Sequence, residues 1–191
     1  MCRDNEGRSE AMLCRNRYMP LQSLLYAYNA KFGGMRRQEM DGTAVESAVL
    51  RGLYAYWRQQ SPPNRLPGRA DIDPVDIRNA LPHVMLIDVL ESRRDFVYRL
   101  VGTHIVQAAG FDFTGWTVAE FFASTSDDGR IEEYVQVAAE GHPRYGYYRM
   151  LDPDRSHFFY ERLIMPLAAD GEKVDMLLCG FHFRPVDPLT A

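Results

Sequence analysis

Residues 96–122, FVYRLVGTHIVQAAGFDFTGWTVAEFF, constrain the fold more than any other stretch of the chain. Phe96, Tyr98 and Leu100 alternate with Val97, Arg99 and Val101. That is the period of a strand with an aromatic face inward and Arg99 outward or at an edge. Gly102 breaks the strand, and Thr103 can cap a helix whose inner face is Ile105, Ala108 and Ala109. Gly110 suits the left-handed residue that stops a helix. Asp112-Phe113-Thr114-Gly115 spells a second turn. Thr117 and Glu120 have the spacing of a capping box, which opens a short helix burying Phe121 and Phe122. A strand that runs directly into short helices calls for a sheet covered by those helices.

Upstream, residues 1–40 show no sustained periodicity and read as a poorly ordered extension, with Met35 or Met40 a candidate biological start. Thr43 and Glu46 form another capping box and predict a helix over residues 43–59. Val45, Ala48, Val49, Gly52, Leu53, Tyr56 and Trp57 recur down one face of it, and Ser61-Pro62-Pro63 ends it. That stripe must be covered, either by the chain's own domain or by the same helix of a second chain. Val49, Leu53, Tyr56 and Trp57 are the candidate dimer residues. The segment LPGR is a turn, and Asp73 can cap a short helix whose first residue is Pro74 and which Pro82 ends. Val84 to Leu90 has strand length and composition.

Downstream, Asp127 or Asp128 can cap a helix with Ile131, Tyr134, Val135 and Ala138 on one face and Gly141 at its end. Three strands follow at about residues 144–151, 157–167 and 174–184, joined by turns at Asp152-Pro153-Asp154-Arg155 and Ala169-Asp170-Gly171-Glu172. In the last strand Leu177, Cys179, Phe181 and Phe183 share a face, with His182 and Arg184 opposite. The fold class is therefore α+β: a five-stranded antiparallel sheet with helices packed on one face and an N-terminal amphipathic helix. Residues 41–185 form one domain, and 186–191 a short tail.

Several function classes are disfavoured. The net charge of −4 argues against nucleic-acid binding, although residues 1–40 are mildly basic. No apolar run is long enough to span a bilayer, and the N-terminus lacks a signal-peptide core, so a cytoplasmic location is expected. Cys2, Cys14 and Cys179 form no metal-ligand spacing, and Cys179 in its apolar run reads as a buried thiol. Nucleophile-elbow, P-loop, HExxH and EF-hand patterns are all lacking, and no catalytic residue or metal ligand is assigned.

The element order matches that of PAS domains. With LPGRADIDP, the LPH before the first strand, RLVGT, G-x-D-x-TG and YERLIMPLAADG, residues 44–184 resemble the PAS-like family of alpha-proteobacterial proteins of unknown function. The resemblance implies a sensory or interaction module without a known catalytic role, and carries no binding residue across. Flavin-photosensor relatives use a reactive cysteine in an NCRFLQ-like motif, which this chain lacks. Haem-binding relatives use an inward histidine on the helix before the last three strands. The 129–140 helix has none, since His142 lies past its glycine stop, so no cofactor is expected.

A small pocket between sheet and helices is the default ligand site. Its expected lining is Tyr98, Ile105, Phe121, Tyr134, Tyr147, Tyr160 and Phe181. Arg99, Glu161 and Arg162 lie on strands and can pair across the sheet, or offer an arginine to a carboxylate ligand. His157 and His182 are candidate cross-strand neighbours for metal or acid–base chemistry, while His104 reads as structural or superficial. The favoured function is a non-enzymatic sensory or regulatory module, homodimeric, acting on an unidentified protein partner and binding an unknown small molecule. The alternatives are a plain small-molecule binder and a small α+β enzyme with His/Asp acid–base chemistry.

Overall fold

A computed structural model of the 191-residue chain describes residues 45–91, 95–122, 130–150 and 158–185. The expected extension over 1–40, the Thr43 cap, the Asp127 or Asp128 cap, the 152–155 turn, His157 and the 186–191 tail lie outside those residues. The described elements are α1 (Ala48–Gln60), β1 (Val84–Val89), β2 (Phe96–Val101), α2 (Thr103–Ala109), α3 (Val118–Phe122), α4 (Arg130–Glu140), β3 (Arg144–Met150), β4 (Phe158–Leu167) and β5 (Met176–Pro185). The sheet is antiparallel throughout, in the order β2-β1-β5-β4-β3. The first strand pair and the last three strands thus meet along β1 and β5.

One face of the sheet packs against α2, α3 and α4. Its core includes Ile87, Phe96, Tyr98, Ile105, Phe113, Tyr134, Val137, Ile164, Leu177 and Cys179. The other face carries a second core of Val84, Leu86, Leu163, Met165, Leu167 and Leu178, and α1 covers it with Leu50, Leu53, Tyr54 and Trp57. Gly180 makes that approach feasible, because a Cβ there would stand 2.7 Å from a Leu50 methyl and 3.0 Å from one of Leu53. The Trp57 indole N–H donates to the Pro166 carbonyl at 3.0 Å, so burial of the ring strands no polar group.

Residues 96–122 fold back on themselves. Gly102 lies so close to the preceding 3-10 turn, Leu81–His83, that a Cβ would meet the Pro82 carbonyl at 2.5 Å. Gly110 ends α2 with φ 80°, as its position suggests. The Thr117–Glu120 box is formed in both directions, at 2.8 Å from the Thr117 N–H and 3.0 Å from the Glu120 N–H. The turn before it lines the free edge of β2: the Tyr98 N–H donates to Trp116, and Gly115 donates back. This shields an edge that would otherwise offer unpaired backbone groups.

Three expectations are corrected. Leu100 does not share the inward face of Phe96 and Tyr98. The register shifts between Leu86 and Ile87, so Leu86 opposes Leu100 while Ile87 opposes Tyr98. Arg99 is the extra residue of this bulge, and the alternation inverts across it, leaving Leu100 41% exposed. Helix α1 begins later than residue 43: Ser47 is its cap, accepting the Leu50 N–H, and Glu46, ahead of the helix, pairs with Arg184. Asp73 accepts the Val75 N–H, but residues 74–80 form successive turns rather than a helix.

Of the two ways to cover the α1 stripe, the chain uses its own sheet. Leu53 and Trp57 are buried there, which removes two of the four candidate dimer residues from any outer surface. Val49 and Tyr56 are half-buried, and the Tyr56 hydroxyl accepts the Asp73 N–H at 2.8 Å. Leu53→Ala should therefore lower unfolding stability by about 2–5 kcal/mol. Gly52→Ala, one position away with open space around its Cβ, should be neutral or stabilise by up to about 1 kcal/mol. Urea unfolding of both variants would decide; equal small effects would mean that α1 does not seal the sheet.

Cys179 is fully buried beside Ile164 on β4, and burial pushes its thiol up to about 12. The thiolate is the nucleophile, so iodoacetamide at pH 8 should leave Cys179 unmodified in the folded chain and alkylate it in urea. Peptide mass mapping reads the difference.

Candidate functional site

Two consecutive residues of β4 carry buried charge to opposite faces of the sheet. Arg162 faces the helical layer and Glu161 faces α1. An ion buried without partners is far too costly to persist, so each must be met from its own side.

On the helical side, Arg162 is met by Glu133 of α4. The Arg162 Nη2 pairs directly with the Glu133 carboxylate. The same nitrogen lies 3.0 Å from the Tyr148 hydroxyl, which donates to Glu133 at 2.5 Å. The guanidinium stands 4.5 Å from the Tyr148 ring centre and 5.3 Å from that of Tyr134. Burial and the neighbouring Glu133 hold the Tyr148 hydroxyl well above its ordinary value, so it stays protonated as a donor. Burial does the same to Tyr134. The Arg162 Nε is buried and makes no hydrogen bond, so one donor of the guanidinium is unused.

On the other side, Glu161 is fully buried and accepts the Ser47 N–H and the Tyr145 hydroxyl, each at 2.8 Å. The Arg184 Nη2 lies 2.5 Å from its second oxygen, Oε1. The alignment there is that of an ion pair rather than a hydrogen bond. The carboxylate thus sits at the N-terminus of α1, where the helix dipole favours negative charge.

Five of the seven expected pocket residues, Tyr98, Ile105, Tyr134, Tyr160 and Phe181, are buried in the helical-side core, and Phe121 packs against it. Tyr147 does not belong: it opposes Glu161 on β3, points to the α1 side and is 40% exposed. Aromatic rings pack closely in this layer. Tyr148 stacks on Tyr160 at 5.0 Å, Tyr160 on Phe181 at 6.0 Å, and Tyr98 meets Phe113 edge-on at 4.7 Å. A separate open cleft of about 330 Å³ lies at the end of the sheet, between Val89–Glu91 and Ala169–Asp175. None of the expected lining residues borders it, and its polar hairpin rims suit water better than a buried ligand.

Arg99 pairs with Asp88 at the surface, the bland outcome for that residue. His157, the expected cross-strand neighbour of His182, lies outside the described residues. Instead the fold assembles His182 with His83 and His104, which sequence distance concealed. Among the described residues, no three His, Cys, Asp or Glu side chains converge as a metal site, and no helix is long and apolar enough to cross a membrane.

A family model described as a PAS domain matches residues 45–181. No curated protein matches the chain. Similar solved structures include the N-terminal domain of a diguanylate cyclase with PAS/PAC sensor from Marinobacter aquaeolei. It is 16% identical, with a TM-score of 0.38, over 53% of this chain and 94% of that one. An RNA-binding light-oxygen-voltage receptor is 13% identical, with a TM-score of 0.40, over 76% of this chain and 35% of that one. The family match spans the Arg162–Glu133 cluster, Glu161 with Ser47, the helical crossing and most of the sheet, and on that basis the chain belongs to the PAS domain family.

Proposed function

We propose that the chain is a non-enzymatic sensory or regulatory module that takes a small anionic ligand between sheet and helices and passes the change to α1. The observation that carries this reading is the Glu161–Arg162 step on β4. A ligand carboxylate can exchange with Glu133 at Arg162, using the guanidinium donor that has no partner. Releasing Glu133 frees α4. A shift of β4 at Arg162 also moves Glu161, which holds the Ser47 N–H at the start of α1. The site offers an arginine clamp and tyrosine hydroxyls but no nucleophile–base pair, which favours binding over catalysis.

Output in this reading leaves through α1, to a protein partner or a second copy of the chain. Leu53 and Trp57 are already covered, so a homodimer would use the outward side of α1, with Ala48, Arg51, Gly52 and Ala55. Light scattering after size exclusion should give twice the chain mass; a monomer at high micromolar concentration would leave only the hetero-partner form of the proposal.

Removing one ion of the helical-side pair should cost about 3–5 kcal/mol, so Arg162→Met and Glu133→Gln should each destabilise strongly. The double variant Arg162→Met/Glu133→Leu should recover most of that loss, because no buried charge remains. Native mass spectrometry of the freshly purified protein and thermal shifts across a library of small carboxylates test the ligand. The wild type should respond and the folded double variant should not. An empty wild type with no shift, or equal shifts in both proteins, would defeat the anion site.

A further inference from the structure

Three histidines meet where the 3-10 turn Leu81–His83, the start of α2 and β5 come together. His83 Nδ1 lies 2.9 Å from the Phe181 carbonyl oxygen. A carbonyl only accepts, so this nitrogen carries the proton and His83 Nε2 presents a bare lone pair. His104 Nδ1 stands 3.1 Å from that lone pair. The two rings are nearly perpendicular, at 83°, with centres 4.4 Å apart. The His182 ring is 5.7 Å from that of His83, and its Nδ1 is buried without a hydrogen bond.

We propose that His83 Nε2 and His104 Nδ1 form a two-histidine site for a borderline transition-metal cation such as Zn²⁺. Zinc–imidazole bonds of about 2.0–2.1 Å at a tetrahedral angle place two ligand nitrogens about 3.3 Å apart. The observed pair needs to open only slightly. The Phe181 carbonyl holds the His83 tautomer and ring orientation, the outer-shell support that metal-binding histidines require. On binding, the His104 proton moves to its outward Nε2 and Nδ1 takes the metal in its place. Among the described residues no third protein ligand converges, so water completes the sphere, and neutral imidazoles select Zn²⁺, Ni²⁺ or Cu²⁺ over Mg²⁺. The bound ion would fasten the turn before β1 to α2, independently of any ligand at Arg162.

The test is calorimetric titration of the full, tag-free chain with ZnCl₂ at pH 7.5, in a Cys2→Ser/Cys14→Ser background that removes two competing thiols. One equivalent should bind and raise the melting temperature, while MgCl₂ should do neither. His104 is exposed, so His104→Ala should melt as the parent does without metal, yet bind about tenfold more weakly or worse. His142→Ala, at another exposed histidine, should bind as the parent does. Absence of binding in the parent, or unchanged affinity in His104→Ala, overturns the site.

Discussion

The structure depends on β4 carrying two adjacent buried ions that point in opposite directions. A sheet strand alternates its side chains between faces, so neighbouring Glu161 and Arg162 cannot satisfy one another. Each forces a different element against the sheet. Arg162 needs Glu133, which fixes α4 over the helical face. Glu161 needs the Ser47 N–H and Arg184, which fixes the start of α1 on the other. Apolar packing supplies the bulk of the stabilisation: a fully buried leucine or similar side chain is worth about 1.5–3 kcal/mol. Packing does not by itself specify one register. The ion clusters do, because a shift of α4 by one residue would leave Arg162 buried without its carboxylate, and a shift of α1 would take the Ser47 N–H from Glu161.

Legibility in the sequence followed the range of the interaction. The Thr117–Glu120 box, the Gly110 stop and the alternation in β5 are set by residues within a few positions, and all were readable. The β2 bulge was not. Phe96, Tyr98 and Leu100 alternate without fault, and only pairing with β1 decides that Arg99 is the surplus residue. The start of α1 is set at long range too. Thr43–Glu46 has good local spacing, but Glu161, more than a hundred residues away, draws the helix start to Ser47.

The candidate site shows the same division. Tyrosines on alternating strand positions could be placed on a face from sequence, except Tyr147, whose face is fixed by the β3–β4 register opposite Glu161. Glu133 carried no signal at all. It sits in the first turn of α4 beside Glu132, where an acidic residue ordinarily complements the helix dipole. Only the fold shows that Glu132 is exposed while Glu133 is buried against Arg162. The histidines were legible singly but not together, because His83, His104 and His182 come from three separate elements.

The same arithmetic limits what can act on Arg162. A ligand shifts an equilibrium only by its difference in affinity for the two states. Breaking the Arg162–Glu133 pair outright costs several kcal/mol, which a neutral apolar ligand has no means to offset. An anion differs, because it replaces one carboxylate at the guanidinium with another and leaves Arg162 paired throughout. The remaining cost is that of moving Glu133 from its buried position to water, and hydration of the freed carboxylate favours that step. Glu133 lies in the first turn of α4, beside exposed Glu132, so its route to solvent runs past the end of the helix. Any ligand able to work this element must therefore bring its own negative charge.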